Sequence, residues 1–464
     1  MRIRVGIQKS RIETDNPKLL KALQTLYSFK VPGASYTAAY RRRSWDGKKR
    51  FISNNGTFRS GLLLKILKSL KKIDCTPDIE FTPPRKDLVK LEHFSNIKYY
   101  DYQEDLIQKA ILLKRSVVKA PTGSGKTLVM AGLVKSLGKK KMVILFNSKQ
   151  LLKQSYDFLK DVCKIKNLGI CSGEGFIPGD IMMSTVQSIE KILDTHLDSA
   201  EVLMVDECHE FCTGPRTLAA IEAFPNASWR FGFTATVPSE PIKRCNLEGA
   251  LGSVIQSVDT QELVEKGKLT KPIIKIIERE YEAEEEDRPL SYLDVYDKYI
   301  VYNKERNEKI KNVVKEILNG FDKPRILILT KSLDHGRILG EYFKEMQCEF
   351  LEGANSVGER YKSISRFRSH EQGSILIGTR ILQTGININE ITHFINSRGM
   401  KSEIATIQAL GRALRVSDNK DQVFVYDFKD KEKYLDAHSR ERIKHYKKEG
   451  HEVTKYEQNS SKES

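Results

Sequence analysis

Cysteine is scarce in this chain and long apolar runs are absent, and each shortage excludes a class of protein. The 464 residues contain 7 cysteines, an odd number without a CxxC pair, which argues against a disulfide framework and favours reduced thiols. No apolar run approaches the roughly 18 residues that a membrane-spanning helix requires. The opening stretch, Met1 to Val5, does not resemble the apolar core of a signal peptide, so we expect a cytoplasmic protein.

One short stretch combines cysteine with histidine, at Cys208, His209 and Cys212. A structural zinc site draws its ligands from two such groups at a matching spacing. Because no second group follows at that spacing, we do not expect zinc.

The composition describes a globular protein with an uneven charge. Hydrophobic residues make up 39% and charged residues 30%, and the length suggests several domains at roughly 100–200 residues each. The net charge is +17, and residues 1–90 hold 21 Lys and Arg against 7 Asp and Glu, an excess of 14. Such a basic block before a near-neutral remainder predicts a polyanionic partner, with a merely solubilising surface as the alternative.

A phosphate-binding loop is the clearest motif in the sequence. The run Val117–Val118 leads into Ala120-Pro-Thr-Gly-Ser-Gly-Lys-Thr127, and a helix is predicted from Lys126 to about Leu137. In such a loop, glycines let backbone N–H groups turn inward around phosphate oxygens, and the helix N-terminus adds a favourable dipole. Lys126 would neutralise the β- and γ-phosphates, and the Thr127 hydroxyl would ligate Mg²⁺. The predicted nucleotide-binding residues of the loop are Thr122, Gly123, Ser124, Gly125, Lys126 and Thr127.

Residues 1–90 are predicted to form a small basic α+β domain. The pattern predicts a strand at residues 2–7, helices at about 17–29 and 61–72, and a β-hairpin within 36–51 that turns at Asp46-Gly47. Aromatic residues alternate with basic ones there, as in surfaces that bind phosphates and bases, although a core role for the aromatics is the simpler interpretation. The prediction of nucleic-acid binding rests on the basic side chains of Arg41, Arg42, Arg43, Lys48, Lys49 and Arg50.

After a linker at Pro83-Pro84, short apolar runs alternate with helical patterns in two successive blocks. Predicted strands lie at 116–119, 142–146, 181–185, 202–206 and 230–236, then, after a helical stretch at 292–318, at 326–330, 374–379, 391–395 and 422–428. Such alternation predicts parallel sheets covered by helices. We therefore predict tandem α/β domains at 91–280 and 281–448, followed by a disordered polar tail at 449–464.

Two carboxylates, Asp206 and Glu207, follow the apolar run Val202–Val205 at a predicted strand end. Ligands gather at the carboxyl ends of parallel strands, so Asp206 is predicted to hold Mg²⁺ and Glu207 to orient or deprotonate an attacking water. The next predicted strand ends in Thr234 and Thr236. Their hydroxyls would hydrogen-bond the carboxylate and His209 group and sense its state.

Two arginines, Arg412 and Arg415, are spaced to share one face of a helix. A guanidinium delivered across a domain cleft stabilises charge that develops on a γ-phosphate, which makes both arginines candidate catalytic residues. The same spacing is also common on solvated helices.

Together these motifs resemble the superfamily 2 helicases, over residues 99–428. The motifs of that family are matched, in order, by Tyr100–Gln103, 120–127, Asp206–His209, Thr234–Thr236, 378–387 and 408–415. The resemblance implies two RecA-like motor domains and an ATP-dependent helicase. It also implies that Gln103 reads adenine, and that His209 and Gln408 couple the nucleotide state to movement.

Nucleic-acid contacts in that family come largely from backbone and small polar groups that follow the strands. The resemblance implies such contacts at Ser148, Lys149, Thr185, Lys331 and Thr379, with Gln154, Ser184 and Thr330 in the same motifs. Within the superfamily the chain is most similar to phage UvsW-type helicases, which place a small basic domain before two motor domains and act on branched DNA. The implied cofactors are ATP and Mg²⁺, and the implied partner is a DNA fork or Holliday junction. We expect a monomer without a membrane partner, in the host cytoplasm if a phage encodes it.

Three other activities stay open at this level. An RNA helicase is one, because motor motifs of this kind do not read the sugar. An ATP-switched nucleic-acid clamp that separates no strands is another, and a translocating subunit of a restriction system is the third.

Overall fold

The computed structural model describes residues 1–83, 88–173, 175–196, 198–212, 214–278, 291–352, 355, 357–379, 388–400 and 422–457. The chain divides into two compact units, one made of 1–120 with 125–257, the other of 258–464 with loop residues 121–124. Each unit has its own large sheet and its own hydrophobic core. The second unit therefore begins at residue 258 rather than at 281.

Residues 1–83 form a small α+β subdomain within the first unit. Its strands are β1 Arg2–Val5, β2 Lys9–Glu13, β3 Ser28–Lys30, β4 Lys48–Arg50, β5 Thr57–Arg59 and β6 Asp78–Phe81, and its helices are α1 Pro17–Leu26, α2 Ala38–Arg41 and α3 Leu63–Lys71. One sheet has the order β5-β2-β1-β6, and β3 pairs with β4. Its core is built from alternating strand residues such as Ile3 and Ile12 and from one face each of α1 and α3, including Leu23 and Ile66.

The predicted hairpin within residues 36–51 is wrong. A 3-10 turn at Ala34–Tyr36 and helix α2 replace its first strand, and β4 pairs antiparallel with β3. The reason is local: Thr37 caps α2 by accepting the Tyr40 N–H at 3.3 Å, and two alanines follow it. Gly47, at φ +73°, then turns the chain into β4.

The subdomain packs closely against the rest of the first unit, on helix α10 Pro241–Leu251. The Lys65 ammonium donates to Glu248 Oε2 at 2.6 Å, and Arg59 Nη1 donates to Asn246 Oδ1 at 3.2 Å. A Cβ on Gly61 would come within 2.6 Å of the Gly249 carbonyl oxygen and would also strike that of Glu248. The two surfaces therefore meet at backbone distance, and the subdomain is part of the first unit.

The first unit contains an eight-stranded sheet covered by helices. Its strands are β7 Arg115–Lys119, β8 Met142–Phe146, β9 Leu168–Ser172, β10 Gly175–Ile177, β11 Ile181–Thr185, β12 Val202–Val205, β13 Trp229–Thr234 and β14 Ser253–Ile255, in the order β10-β9-β11-β8-β12-β13-β7-β14. Its other helices are α4 Asp101–Leu113, α5 Lys126–Ser136, α6 Lys149–Asp157, α7 Glu190–His196, α8 Cys208–Phe211 and α9 Pro215–Glu222. Every paired strand is parallel except β10, which pairs antiparallel with β9. The two strands at the centre, β8 and β12, are apolar and buried throughout, as expected of strands covered on both faces.

The second unit contains a seven-stranded parallel sheet. Its strands are β15 Lys271–Glu278, β16 Arg325–Leu329, β17 Cys348–Leu351, β18 Ser374–Gly378, β19 His393–Asn396, β20 Gln422–Lys429 and β21 Glu452–Lys455, in the order β17-β18-β16-β19-β20-β15-β21. Its helices are α11 Thr260–Glu265, α12 Tyr292–Tyr296, α13 Lys304–Gly320, α14 Leu333–Tyr342, α15 Val357–Ser369 and α16 Leu435–Lys448.

Three expectations for this unit need correction. The helix predicted at 292–318 is broken: a π-helical turn at Asp297–Val301 follows α12, and α13 starts anew where Asn303 accepts the Arg306 N–H at 2.8 Å. Strand β15 lies before residue 281 and yet pairs with β20, which sets the boundary earlier. The tail is not wholly disordered, because β21 adds to the outer edge of β15.

Within the described ranges, no helix is both long enough and apolar enough to cross a membrane. The seven cysteines are free thiols. The described residues contain no group of three or more His, Cys, Asp or Glu that could hold a metal ion.

Candidate functional site

Three neighbouring strands of the first sheet deliver the predicted catalytic motifs to one rim. Strands β12, β13 and β7 are adjacent, and their register aligns Val205 with Gly232 and Thr234 with Lys119. The carboxyl ends of all three strands therefore lie at the same level. Asp206, Thr234 and the phosphate-binding loop are brought together there, as the sequence predicted.

The loop between β7 and α5 has the backbone geometry that phosphate binding requires. Gly123 and Gly125 adopt φ values of +89° and +82°, which only glycine adopts without strain. The Ser124 hydroxyl donates to the Pro121 carbonyl at 2.7 Å and closes the turn. Lys126 follows at the first turn of α5, and its ammonium donates to the Ala120 carbonyl at 3.2 Å. The ammonium is thereby folded back over the loop.

Gln103 lies directly against this loop. Its amide Oε1 accepts the Tyr100 N–H at 3.0 Å, and its Nε2 donates to the Tyr102 hydroxyl at 3.4 Å. A Cβ on Gly125 would approach Nε2 to 2.5 Å, so the glycine is needed for this contact as well as for the turn. Tyr100 beside it is 46% exposed and stacks on Tyr102 at 5.8 Å. The sequence pattern does not indicate that the Tyr100 ring is exposed beside the Gln103 amide.

Glu207 is held in a strained backbone conformation. Its φ of 45° and ψ of 47° are left-handed, which is uncommon for a residue with a side chain and is frequent at functional sites. Its Oε2 atom is buried and accepts no hydrogen bond from the described residues, with His209 Nδ1 3.5 Å away. A carboxylate oxygen in this state is available to a water or a substrate group.

His209 links the carboxylates to Thr234. Its Nδ1 lies 2.8 Å from the Thr234 hydroxyl, which itself donates to the Thr236 carbonyl at 2.9 Å. Because the hydroxyl has a single proton, Nδ1 carries the proton of the imidazole and donates. Burial lowers the pKa of His209, and Lys126 adds to this while Glu207 opposes it, so the ring is neutral near pH 7.

The donor set at this rim fits a nucleotide with Mg²⁺. Two buried polar atoms, Glu207 Oε2 and Thr236 Oγ1, have no hydrogen-bond partner in the described part of the chain. The half-buried Thr127 hydroxyl and Asp206 carboxylate are hard oxygen ligands. Mg²⁺ usually takes one or two protein oxygens of this kind and completes its shell with phosphates and waters.

The predicted nucleic-acid contacts of the subdomain differ in their exposure. Arg41, Arg42, Arg43 and Lys48 are exposed at the end of α2 and the start of β4. Lys49 is half-buried, with its ammonium 5.6 Å from the Phe51 ring. Arg50 pairs with Asp46, and this ion pair lowers the pKa of the Asp46 carboxyl. The first four residues therefore provide the accessible positive charge.

The predicted contacts at the rim of the first sheet also have different environments. Lys149 is exposed at the start of α6. Ser148 is the N-cap of that helix and accepts the Leu151 N–H at 3.2 Å. The Thr185 hydroxyl is buried and donates to Ser188 at 3.1 Å. Of the three, Lys149 is the one whose side chain projects to the solvent.

In the second unit, Lys331 and Thr379 come together because they follow neighbouring strands. The Thr330 N–H donates to the Gly378 carbonyl at 3.0 Å across β16 and β18. The Lys331 ammonium lies 5.0 Å from the ring of Tyr292 and 4.3 Å from that of Tyr296. The sequence did not indicate that these two tyrosines lie beside Lys331.

Gln408, Arg412 and Arg415, with residues 380–387, lie outside the described residues. Residues 397–400, which precede these arginines in the sequence, accept hydrogen bonds from two buried side chains. Arg306 Nη1 donates to the Ser397 carbonyl at 3.2 Å and Arg442 Nη1 to the Met400 carbonyl at 3.0 Å. Arg442 is in turn paired with Asp427 at 3.0 Å.

Comparisons with known proteins agree with this arrangement. The model "Type III restriction enzyme, res subunit" matches residues 96–239, and "Helicase conserved C-terminal domain" matches residues 308–417. The ATP-dependent DNA helicase uvsW of Enterobacteria phage T4 is 24% identical over 436 residues, covering 88% of this chain and 86% of the phage protein.

Solved structures are similar at the level of the fold. S. cerevisiae Dbp5 bound to RNA and ADP BeF3 matches with a TM-score of 0.54 at 14% identity, over 76% of this chain and 89% of that chain. The ATP-dependent Type ISP restriction-modification enzyme LlaBIII bound to DNA gives 0.57 at 15% identity, over 79% of this chain and 32% of that one. The two large parallel sheets have the RecA-like fold that the sequence predicted.

Proposed function

We propose that this chain is an ATP-driven superfamily 2 helicase that unwinds or branch-migrates branched DNA such as forks and Holliday junctions. Its biological setting would be recombination, repair or replication. The observation that carries the proposal is that the basic subdomain packs at backbone distance against the rest of the first unit. The same unit contains strand β7 and helix α5, which flank the phosphate-binding loop. One compact unit thereby combines an exposed basic surface with Lys126, Asp206, Glu207 and Thr234.

ATP binds at the loop 120–127 in this proposal. Lys126 neutralises the β- and γ-phosphates, while the backbone N–H groups of 122–125 surround the phosphate oxygens. Gln103 donates to and accepts from the adenine edge. The exposed Tyr100 ring supplies a flat apolar surface beside that edge, where a base can stack.

Hydrolysis requires an oriented water and stabilised charge. Glu207, with an unpartnered buried oxygen, accepts a hydrogen bond from the attacking water and draws its proton. Thr127 and Asp206 would hold Mg²⁺, which would supply positive charge to offset the negative charge of the phosphates. Arg412 and Arg415 stabilise the charge on the transferred phosphoryl group.

The chain from Glu207 through His209 to Thr234 and Thr236 couples this chemistry to movement. When Glu207 changes its partner, the His209 imidazole can shift its hydrogen bond with Thr234, and Thr234 is bonded to the backbone of Thr236. Gln408 would take part in the same coupling. Alternating grip by Lys149, Lys331, Thr379 and the strand-end backbones of residues 148 and 185 then advances the strand.

The basic subdomain provides the preference for branched substrates. Arg41, Arg42, Arg43 and Lys48 neutralise phosphates of a duplex arm while the sheet rim follows a single strand. A substrate that offers both a duplex arm and a single strand occupies both surfaces. Branched DNA has this shape, and the phage relative is named as a DNA helicase.

The decisive experiment measures ATP hydrolysis by the full chain with single-stranded DNA, linear duplex, a fork, a four-way junction and RNA. We expect the fork and the junction to stimulate hydrolysis most. Highest stimulation by RNA would assign the chain to RNA instead. Hydrolysis on branched DNA without strand separation would indicate an ATP-switched clamp.

A matched pair of variants tests the basic surface. Replacing Arg41, Arg42 and Arg43 with Gln should weaken junction binding and reduce the log–log salt slope by about 0.9 for each phosphate that is no longer neutralised. Replacing the exposed Lys68, Lys71 and Lys72 removes the same charge from the end of α3 and serves as the control. Equally weakened binding in both variants would indicate a general charge effect rather than a binding surface.

A further inference from the structure

The hairpin formed by β9 and β10 at the edge of the first sheet is unusual in its exposure. Phe176 is 46% and Ile177 53% exposed, and they are the one consecutive pair of large apolar side chains so exposed in the described part of the chain. Exposed apolar edge strands invite aggregation, so proteins normally keep them short and place proline or charge beside them, and β10 has 3 residues with Pro178 directly after it. Two large apolar side chains that stay exposed on such an edge point to a function.

Strand pairing and close backbone packing nevertheless hold the hairpin in place. Strand β10 pairs with β9 through Gly175 with Ser172, Phe176 with Cys171 and Ile177 with Ile170. Cys171 is fully buried in the core of the unit. A Cβ on Gly169 would come within 2.7 Å of the Gly179 N atom, so the strand and the returning chain touch at backbone distance. The two apolar side chains are therefore presented on a rigid support.

The turn of this hairpin lies at the same rim as the predicted strand contacts. The register pairs Ser184 with Cys171, so Thr185 is level with Ser172, where the turn begins. A Cβ on Gly173 would lie 2.9 Å from the Lys149 ammonium, so the Lys149 side chain rests against the turn. Along the rim, the order is the hairpin, Thr185, Lys149, Asp206, Thr234 and the phosphate loop. The hairpin is thus the last element along this rim, on the side away from the phosphate-binding loop.

We propose that Phe176 and Ile177 form the element that separates the two strands of DNA, as an apolar wedge against the terminal base pair at the branch. This inference rests on the proposed helicase function. Opening a base pair exposes the apolar face of the next one, and an apolar side chain that covers this face lowers the cost of opening. Lys149, against the turn, would hold the phosphate of the strand being drawn across the rim.

The test uses full-length protein in which Phe176 and Ile177 are both replaced by Thr, which keeps β-propensity and removes the apolar surface. On a fork we expect the unwinding rate to fall about tenfold or more, the scale of one stacking interaction between a base and an aromatic ring. ATPase activity stimulated by single-stranded DNA and displacement of streptavidin from a biotinylated single strand should stay within twofold. Phe176→Tyr alone should retain unwinding.

A fork that is already open at the branch and a control variant make the test more specific. On a fork whose first base pairs at the branch are mismatched, the deficit of the double variant should largely disappear. Leu112→Thr with Val162→Thr removes two other exposed apolar side chains of the same unit and should leave unwinding unchanged.

Each other outcome contradicts the proposal in a recognisable way. Unwinding within twofold of the parent would show that the hairpin does not separate strands, and loss of self-association alone would make it a protein-binding edge. A parallel loss of ATPase activity with unchanged thermal unfolding would assign the hairpin to the motor cycle. Failure of the unaltered protein to unwind any fork would overturn the proposed function itself, before the hairpin is reached.

Discussion

Replacing His393 with Phe should make the second unit more resistant to acid. His393 starts β19, where its ring lies 4.4 Å from Phe321 and 5.2 Å from Phe424. Its Nδ1 is 2.9 Å from the Thr392 hydroxyl, but its Nε2 is buried without a partner among the described residues. Burial, with Lys275 nearby, lowers its pKa from 6.5 to about 3. A phenyl ring keeps the aromatic packing and removes the imidazole, which is not readily protonated in its buried position.

The sign and size of the effect follow from linkage. The unfolded chain binds a proton at His393 below pH 6.5 while the folded chain does not, so stability falls as the pH drops through 6.5 and the loss ends near pH 3. Between pH 7 and pH 5 this costs about 2 kcal/mol for one such histidine. His335, with a pKa of about 3, and His451, with a pKa of about 4, contribute similar losses. His393→Phe should therefore remove roughly a third of the combined loss of the three histidines.

The assay must report on the second unit alone, and both tryptophans, Trp45 and Trp229, lie in the first. Urea unfolding at pH 7 and pH 5, followed by pulse-labelled hydrogen exchange of peptides from β19 and β20, gives that report. Peptides from β8 and β12 serve as the internal control. An undiminished pH dependence of β19 and β20 in His393→Phe would refute the reasoning, since the buried imidazole would then not carry the acid sensitivity.

Three further predictions concern the motor site and the subdomain junction. Glu207→Gln should bind ATP normally and hydrolyse it about 10²-fold or more slowly, measured by nucleotide binding and single-turnover rates, whereas weakened binding with normal turnover would assign Glu207 to the ground state. Lys126→Ala should lose nearly all ATPase activity while junction binding stays near normal, and retained hydrolysis would remove the loop from the nucleotide site. Gly61→Ala should destabilise the first unit by about 1–3 kcal/mol in urea melts, because its Cβ would strike helix α10, while Gly175→Ala, whose Cβ would meet no atom within 4 Å, should be near neutral.

The glycine turn at 120–127 and the position of Asp206 and Glu207 after a buried strand could be predicted because their signals are local. Glycines at fixed offsets, a lysine at the helix start and carboxylates after an apolar run are read from a few consecutive residues. The convergence of Asp206 and Thr234 also followed, since the carboxyl ends of parallel strands share one edge. Lys149 and Lys331 were singled out by the resemblance to the superfamily 2 helicases.

Other elements could not be predicted because distant residues decide them. β15 was missed, and the unit boundary with it, since that strand is completed by β20 and β21 from the far end of the chain. The Asp46-Gly47 pair favoured a hairpin, but the Thr37 cap and the two alanines made the preceding residues helical. The Arg442 and Asp427 pair is invisible in sequence, because each residue alone resembles an ordinary surface charge.

Subdomain docking also changes how the basic block should be tested. Cutting the chain at Pro83-Pro84 would uncover apolar side chains of α10, including the fully buried Cys245, which belongs to the core cluster of the subdomain. A truncated protein would then lose stability along with binding. Point substitutions on the exposed face of the subdomain separate the two effects.

The most direct measurement compares ATP-driven processing of a four-way junction, a fork and a linear duplex of the same sequence by the purified full-length chain. We expect the junction and the fork to be resolved at least tenfold faster than the linear duplex, and Lys126→Ala to abolish the reaction on all three. Equal rates on the linear duplex, or separation of RNA duplexes with none of the branched DNA substrates processed, would contradict it.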